Sequence, residues 1–600
     1  MHQYQLDQPD NLVDFLEGSV RKYPSNKMFG TKNASGEYEW ITYLEFGRRV
    51  DNLRAGLAGL GVKKGDAVGI IANNRTEWAI CAFAVYGLGA KWVPMYEAEL
   101  TSIWKYIVQD SGIKVLFCSK PEILQKVKDF PKDIKTLENL ILVEGSGENT
   151  MESLERLSKK KPLPSLKPDP DEVAALIYTS GTTGDPKGVL LTHGNFTSNS
   201  LGGQKFYTDF NQNDVGLSIL PWAHSYAQTA ELYTFIYLGG ALGFIESINT
   251  LAADMLKVRP TFLIAVPRVF NKIYDGMFAK MNSEKGIKRA LFFMAVKSAK
   301  KKRLLAAEGK SDFITNIKCA IGEKLVFSKI RERFGGRLRG AMTASAAMNP
   351  EIAGFFFDIG LPTYDCYGMT ETSPAITMNS PAGYKLGSVG RPIDKVKVVI
   401  DKSVVEEGAT DGEIVAYGPN VMKGYHNKPE ATTQVMTPDG GIRTGDRGRI
   451  DKDGYLFITG RIKEQYKLEN GKFVFPASLE EDIRLIPTVE NAMIYGENRP
   501  YNICIVIPNF EVLGKFAMEK GLPTDPHELV KSMEVHDLIA SEVSNTLKGK
   551  YGGYEIPKKF LLLSENFSVD DGTLTQTLKV KRRIVLKKYQ DMIDALYELK

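Results

Sequence analysis

Between Tyr178 and Val189 the chain reads YTSGTTGDPKGV, a run of three glycines, four small hydroxyl side chains and one lysine. Gly181, Gly184 and Gly188 let a backbone turn tightly and come close to a ligand. Thr179, Ser180, Thr182 and Thr183 add hydroxyl donors, and Lys187 adds a cation. Successive N–H groups in such a loop form an anion-binding concavity. The chemistry these residues suit is the grip of a phosphate chain. They do not make a Walker A loop, because Gly181 and Lys187 lack the G-x4-GK[ST] spacing. Composition alone leaves a flexible polar loop as an equal reading.

The elements around the loop are legible from periodicity. VAALI (173–177) precedes it and VLL follows, which predicts a loop between two strands. Upstream, Leu44 to Leu60 has helical spacing, DAVGIIA after Gly65 reads as a buried strand, Trp78 to Gly87 as an apolar helix and AKWVPMY as a further strand. That alternation predicts an α/β architecture with largely parallel sheet. The Pro- and Lys-rich stretch Lys159 to Asp171 reads as a connector. From Asp275 to Gly336 the sequence is charged and helical. After Gly390 it turns strand-rich, with GEIVAYGP and DGYLFITGR, and it ends in the basic run LKVKRRIVLKKY. The simplest division is a large body, 1–460, and a smaller domain, 461–600.

The bulk numbers narrow the function classes. With 43% hydrophobic and 25% charged residues, the 600-residue chain has ordinary globular composition. A net charge of +5 is small for this length and argues against a dedicated nucleic-acid binder. Cys81, Cys118, Cys319, Cys366 and Cys504 show no CxxC spacing, so neither a disulfide framework nor a zinc site is indicated. MHQYQLDQPDNLVDF does not read as a signal peptide, and no apolar run reaches about 18 residues. The expected address is the cytoplasm, with peripheral contact at the inner face of a membrane left open.

YTSGTTGDPKGV resembles the phosphate-binding signature of the adenylate-forming superfamily, which includes acyl-CoA synthetases, firefly luciferase and nonribosomal adenylation domains. Four further segments extend the resemblance in family order: Tyr367-Gly368-Met369-Thr370-Glu371 is similar to YGxTE, Thr444-Gly445-Asp446 to TGD, GRIKEQYKLENGK from Gly460 to the hinge segment, and TQTLKVKR (575–582) to the segment holding the catalytic lysine. The resemblance implies a large N-terminal domain of stacked mixed sheets and helices with a small mobile α+β C-terminal domain. It implies that ATP and a carboxylate form an acyl-adenylate, which coenzyme A then converts to a thioester.

On that resemblance the loop Thr179 to Lys187 holds the β and γ phosphates, and Thr182 with Glu371 holds Mg²⁺, a hard cation suited to oxygen ligands. Tyr367 lies against adenine, within a turn that includes Gly368 and Thr370. Asp446 accepts from the ribose hydroxyls with Arg461 nearby, and Lys579 reaches the α-phosphate and the attacking carboxylate. Lys463 stands at the hinge position, and KLENGK (467–472) would face the site during thiol transfer. Taken singly, each has a bland alternative: Asp446 could cap a turn, Tyr367 could be core, and Lys579 sits among solvated cations. Two positions depart from the pattern. TASAAM (343–348) replaces an SGGAPL-like loop beside adenine, and Gln576 replaces a common proline.

VPRVFNKIY (266–274), the helical insertion after it and KLENGKFVFPASLEE resemble long-chain synthetases, which implies a long-chain fatty acid as substrate. LPWAHSYAQ (220–228) matches a motif whose histidine, here His224, abuts the acyl carboxylate. GIKRALFFMAVKSAKKKRL (286–304) joins an apolar patch to clustered lysines and reads either as a membrane-surface helix or as a helix packed on the body. Two other functions compete: a fatty acyl-AMP ligase that serves a carrier protein, and a catalytically silent lipid-binding relative.

Overall fold

Parallel strands can be joined only by crossovers, and a helix is the usual crossover, so the upstream strand–helix alternation should build parallel sheet. The structure, a computed structural model, describes residues 9–159, 161–179, 185–346, 348–462, 464–568, 571–575 and 580–598. Its widest sheet has seven strands in the order Gly424–Tyr425, Lys187–Thr192, Val173–Thr179, Lys91–Met95, Ala67–Ile71, Ile113–Cys118, Asn139–Leu142. The five from Val173–Thr179 to Asn139–Leu142 run parallel. At the other edge Lys187–Thr192 pairs antiparallel with Val173–Thr179, the next strand along the chain, and Gly424–Tyr425, remote in sequence, pairs antiparallel with Lys187–Thr192. Ala67–Ile71 is buried at every position, and the helix Thr76–Tyr86 is buried at every position but Glu77. Neither needs a polar face.

Two further sheets are mixed. One is ordered Tyr38–Thr42, Lys27–Lys32, Ala241–Phe244, Val215–Ser218; the other Leu263–Ala265, Ala341–Thr343, Thr363–Gly368, Ala375–Met378, Arg391–Pro392. The expectation of largely parallel sheet therefore holds for the centre of the first sheet and not throughout. Among the described residues of the connector there is no helix or strand after Ser158 until Val173. The charged stretch is helical as predicted, with Pro267–Ser283, Ile287–Ala307 and Phe313–Gly322. Trp78 packs edge-on to Trp92 at 5.2 Å and to Trp222 at 5.4 Å between ring centroids. Burial of rings this large dominates core energetics.

Packing divides the chain into a larger unit, Met1–Val399 with Val415–Arg443 and Gly454–Leu456, and a smaller one, Ile400–Ile414 with Thr444–Asp453 and Phe457–Lys600. In the smaller unit Val489–Tyr495, Ile503–Pro508 and Lys559–Leu562 form a three-stranded sheet. Leu479, Ile483, Val506, Leu513, Ile539 and Val543 make part of its core. Among the described residues no helix is long and apolar enough to cross a membrane.

Candidate active site

The described strands on either side of the glycine-rich loop pair as the arms of a hairpin. Val173–Thr179 pairs antiparallel with Lys187–Thr192 in a register that sets Thr179 opposite Lys187 and Tyr178 opposite Gly188. A Cβ on Gly188 would lie 3.0 Å from the Tyr178 ring, so the bare backbone gives that ring its room. Tyr178 is fixed by its hydroxyl, which donates to Asp110 Oδ2 at 2.6 Å. Ser180, Gly181, Thr182, Thr183 and Gly184 lie outside the described residues, as do Lys463 and Lys579.

The hairpin brings Lys187 to Glu371 through a third residue that the sequence analysis did not single out. Gly424–Tyr425 adds to the edge of the hairpin, with Tyr425 opposite Val189. The Tyr425 hydroxyl donates to Glu371 Oε1 at 2.8 Å, and Lys187 Nζ lies 5.0 Å from the centroid of the same ring. Burial first, and then the Glu371 carboxylate, push the Tyr425 phenol well above its ordinary range, so it stays a donor. Glu371 is itself buried, on the short helical turn Thr370–Thr372, and its carbonyl accepts from Met422 N–H at 2.8 Å. No local motif links residues 371 and 425, which is why spacing could not reveal the pair.

That turn depends on Gly368. A Cβ there would meet the Pro374 carbonyl oxygen at 1.9 Å, a backbone clash that only glycine avoids. The Met369 N–H donates to the same oxygen at 3.1 Å. Tyr367, Gly368 and Met369 then border a cavity whose empty space, open mouth included, is about 750 Å³. His224 and Ser345 share its lining, while Tyr207, Phe210, Tyr226, Ile264, Met342 and Met378 make it mainly apolar.

His224 is placed by the residue two before it. Trp222 is fully buried, its backbone N–H donates to Asn74 Oδ1 at 2.7 Å, and its indole N–H reaches Glu231 Oε2 at 3.3 Å. His224 Nδ1 accepts from Tyr226 N–H at 3.1 Å, which sets the proton of a neutral ring on Nε2. Ser225 is buried and donates to Thr370 Oγ1 at 3.3 Å, tying this loop to the Glu371 turn. Burial of Glu231 raises its carboxyl to about 8.

The departing TASAAM loop is held by Asp365, a second residue missed from sequence. Thr343 Oγ1 donates to Asp365 Oδ1 at 3.0 Å and Met348 N–H to Oδ2 at 3.1 Å. Asp365 and Tyr367 share the strand Thr363–Gly368. Full burial pushes the Asp365 carboxyl up to about 7. One side chain thus sets both ends of the loop whose Ser345 lines the cavity.

Asp446 and Arg461 belong to the smaller unit, on neighbouring strands Ile442–Ile450 and Leu456–Arg461. Arg461 Nε donates to Asp446 Oδ1 at 2.7 Å. Asp446 N–H donates to Thr444 Oγ1 at 3.1 Å, and Thr444 Oγ1 donates to the Ile414 carbonyl at 2.8 Å. The next residue, Arg447, is buried and binds Asp411 Oδ1 at 2.5 Å and Glu406 Oε1 at 3.0 Å. Either side of Lys579, Leu574 and Val580 pair across a short antiparallel bridge. Arg582 Nη2 pins the same segment to Glu480 Oε2 at 2.5 Å.

In the larger unit His224, Tyr367 and Gly368 line one cavity, Thr370 is tied to the His224 loop through Ser225, and Tyr425 joins Glu371 to Lys187; the smaller unit gathers Asp446 and Arg461. Comparison with known proteins gives the family of the chain. A family model described as AMP-binding enzyme matches residues 16–426, and one described as AMP-binding enzyme C-terminal domain matches residues 463–600. A long-chain-fatty-acid–CoA ligase of Mycobacterium bovis is 31% identical over 99% of this chain and 98% of its own. A peroxisomal long chain acyl-CoA synthetase of Arabidopsis thaliana is 31% identical over 98% of this chain and 87% of its own. Among solved structures, the adenylation domain of a carboxylate reductase from Mycobacterium chelonae superimposes with a TM-score of 0.79 over 100% of this chain and 92% of that one. At 22% identity that likeness speaks for the fold alone. With both matches in order along the sequence and relatives aligned nearly end to end, the chain belongs to the AMP-binding enzyme family.

Proposed function

We propose that the protein is an AMP-forming long-chain fatty acid–CoA ligase: it joins a fatty acid to AMP, releases pyrophosphate, and passes the acyl group to coenzyme A. The observation that carries this reading is an apolar cavity bordered by His224 and by the Tyr367–Met369 turn that leads into Glu371. An acyl chain suits the apolar lining, and a carboxylate suits the polar border. In the first half-reaction a carboxylate oxygen attacks the α-phosphorus and the bond to pyrophosphate breaks. In the second, the CoA thiol attacks the acyl carbonyl and AMP leaves. Bringing a carboxylate to a polyanion needs positioning and charge neutralisation above all.

In this reading the segment Thr179 to Lys187 grips the β and γ phosphates. Tyr367 lies on the adenine, and Gly368 and Thr370 shape that turn. Asp446, oriented by Arg461, accepts from the ribose. His224 keeps its Nε2 proton for the carboxylate, and Lys579 bridges carboxylate and α-phosphate. Glu371 and Thr182 would hold Mg²⁺, and a buried carboxylate whose direction the Tyr425 hydroxyl fixes suits a hard cation. When bound, the ion would offset phosphate charge. We further propose that 1–460 and 461–600 act as body and mobile lid, hinged at Lys463. We place the enzyme in the cytoplasm, in peripheral contact with a membrane that holds its fatty acid.

Incubation with ATP, Mg²⁺ and palmitate, with and without CoA and beside Lys579→Ala, tests the assignment. CoA-dependent AMP release that disappears in the variant is the expected result. Acyl-adenylate without thioester would point to the ligase that serves a carrier protein, and no adenylate with any fatty acid would overturn the proposal.

A further inference from the structure

The peripheral contact proposed above has an obvious sequence candidate in the lysines of the helix Ile287–Ala307, and the structure weakens it. Lys300 pairs with Glu351 at 2.5 Å, Lys301 with Asp312 at 2.9 Å and Arg303 with Asp358 at 2.8 Å. Phe292, Ala295, Ser298 and Ala299 of this helix are buried. Three of the four cations from Lys300 to Arg303 are engaged within the protein, and the middle of its apolar face is covered, with Ile287 and Leu304 exposed at its two ends.

The next helix has the opposite arrangement. Phe313–Gly322 continues through the wider turn Glu323–Phe327, and its buried face is made of small residues, Thr315, Cys319 and Gly322. A Cβ on Gly322 would meet the Ala295 Cβ at 2.7 Å, so the two helices meet through small side chains. The large apolar residues point the other way. Phe313 is 78% exposed, Ile314 61%, Ile317 46%, Ile321 41% and Leu325 44%. Phe313, Ile317, Ile321 and Leu325 follow at i, i+4, and Ile314 precedes Ile317 by three, which puts them on one stripe. A surface helix normally turns such residues inward, and a contiguous exposed apolar stripe marks a contact surface. Six cations stand against three carboxylates between residues 310 and 333. Lys318, Lys324 and Lys329 among them are exposed.

We propose that Phe313–Gly322 and the turn after it form the membrane contact of this protein, with the apolar stripe sunk into the acyl boundary of an anionic bilayer and the lysines at its phosphates. This deepens the peripheral contact proposed above and moves it off the Lys300 to Lys302 cluster. The amphipathic pattern and cationic rim are those of a helix lying in the interface plane, and each lysine near an anionic surface adds to the attraction.

The test is flotation of the full-length chain with phosphatidylglycerol–phosphatidylcholine vesicles. The exposed pair Ile317→Glu with Ile321→Glu should lower the bound fraction at least tenfold, and the triple change Lys300→Glu, Lys301→Glu, Lys302→Glu should lower it less than twofold. Unchanged flotation of the first variant, with the second lost, would overturn this inference and leave peripheral contact standing at the earlier helix. Failure of the unaltered chain to float would overturn both. Dissociation of a wild-type dimer by the Ile317 and Ile321 changes, with no flotation, would assign the stripe to self-association and overturn it as well. As a local readout, Ile317→Trp should shift its emission to the blue when vesicles are added, and an unshifted spectrum would count against insertion.

Discussion

Glu371 and Asp446 are both acids at the ends of local motifs, and both are largely buried, yet they are held in opposite ways. Glu371, in the larger unit, accepts from the neutral hydroxyl of Tyr425, which also places its ring near the Lys187 ammonium. Asp446, in the smaller unit, accepts directly from the half-exposed guanidinium of Arg461. A phenol fixes the direction of a carboxylate while leaving it anionic, as a group that must hold a cation or face phosphate requires. A guanidinium partner offsets the charge, which suits the role proposed for Asp446, accepting hydrogen bonds from the hydroxyls of a neutral sugar. The two arrangements teach that a motif names the acid and that its partner decides what the acid can do.

Removing the charge of Glu371 should give the largest effect. Glu371→Gln keeps the shape and a hydrogen-bond acceptor for Tyr425, so the fold should survive. Pyrophosphate release should fall by about 10³-fold, typical for loss of one preorganised electrostatic contact. Thioester formation from presynthesised acyl-adenylate should fall less than about tenfold, since the phosphates have already left. Equal losses in both half-reactions would mean that Glu371 acts by supporting the pocket instead.

Asp365 sharpens the same contrast through pH. Its carboxyl is raised by burial from an ordinary 3.8 to about 7, so in that interval the folded state holds a proton that the unfolded state has lost. Its contribution to stability is greatest below the unfolded value and is lost as pH rises through the folded one. The gap corresponds to at most about 4 kcal/mol. Asp365→Asn imitates the protonated acid and keeps an acceptor for Met348. Its thermal midpoint should match the wild type near pH 4.5 and exceed it at pH 7.5. A difference of the same size at both pH values would show that Asp365 does not titrate in this range.

What was legible in the sequence follows from distance along the chain. YTSGTTGDPKGV, YGMTE and TGD are local strings, and the backbone need of YGMTE, Gly368 against Pro374, is met within a few residues. The partners that give those motifs their geometry are remote. Tyr425 and Glu371 are 54 positions apart, and Asp365 meets Thr343 across 22. Periodicity found the buried strand Ala67–Ile71 because every residue there is apolar, but it could not show which strands return antiparallel. Nor could helical spacing show that Phe313 and Ile317 face outward, since an apolar stripe has the same period in either direction.

Tyr425→Phe separates placement from charge. The phenol is lost but the ring beside Lys187 remains, so the change removes one hydrogen bond to a charged acceptor, worth about 1.5 to 3 kcal/mol. Adenylation should fall by about tenfold and the Mg²⁺ concentration needed for half-maximal rate should rise, with KM for palmitate unchanged. Recovery of the rate at high Mg²⁺ would assign Tyr425 to positioning Glu371. A defect insensitive to Mg²⁺ would break the proposed link between that acid and the ion.

The smallest effect is expected at Arg461, whose own side chain is half-exposed beside the buried Asp446. Surface ion pairs contribute little to stability, about 0 to 1 kcal/mol, so Arg461→Lys should leave the thermal midpoint of the smaller unit within a degree or two. The Nε–H of arginine, however, gives Asp446 one fixed direction that a flexible ammonium cannot reproduce. KM for ATP should therefore rise by about threefold while the limiting rate holds, and 0.5 M salt should narrow the difference by weakening the pair in both proteins. If KM for ATP stays unchanged but palmitate turnover falls, Asp446 is not the ribose acceptor, and the contrast between a neutral and a charged partner would lose its functional meaning.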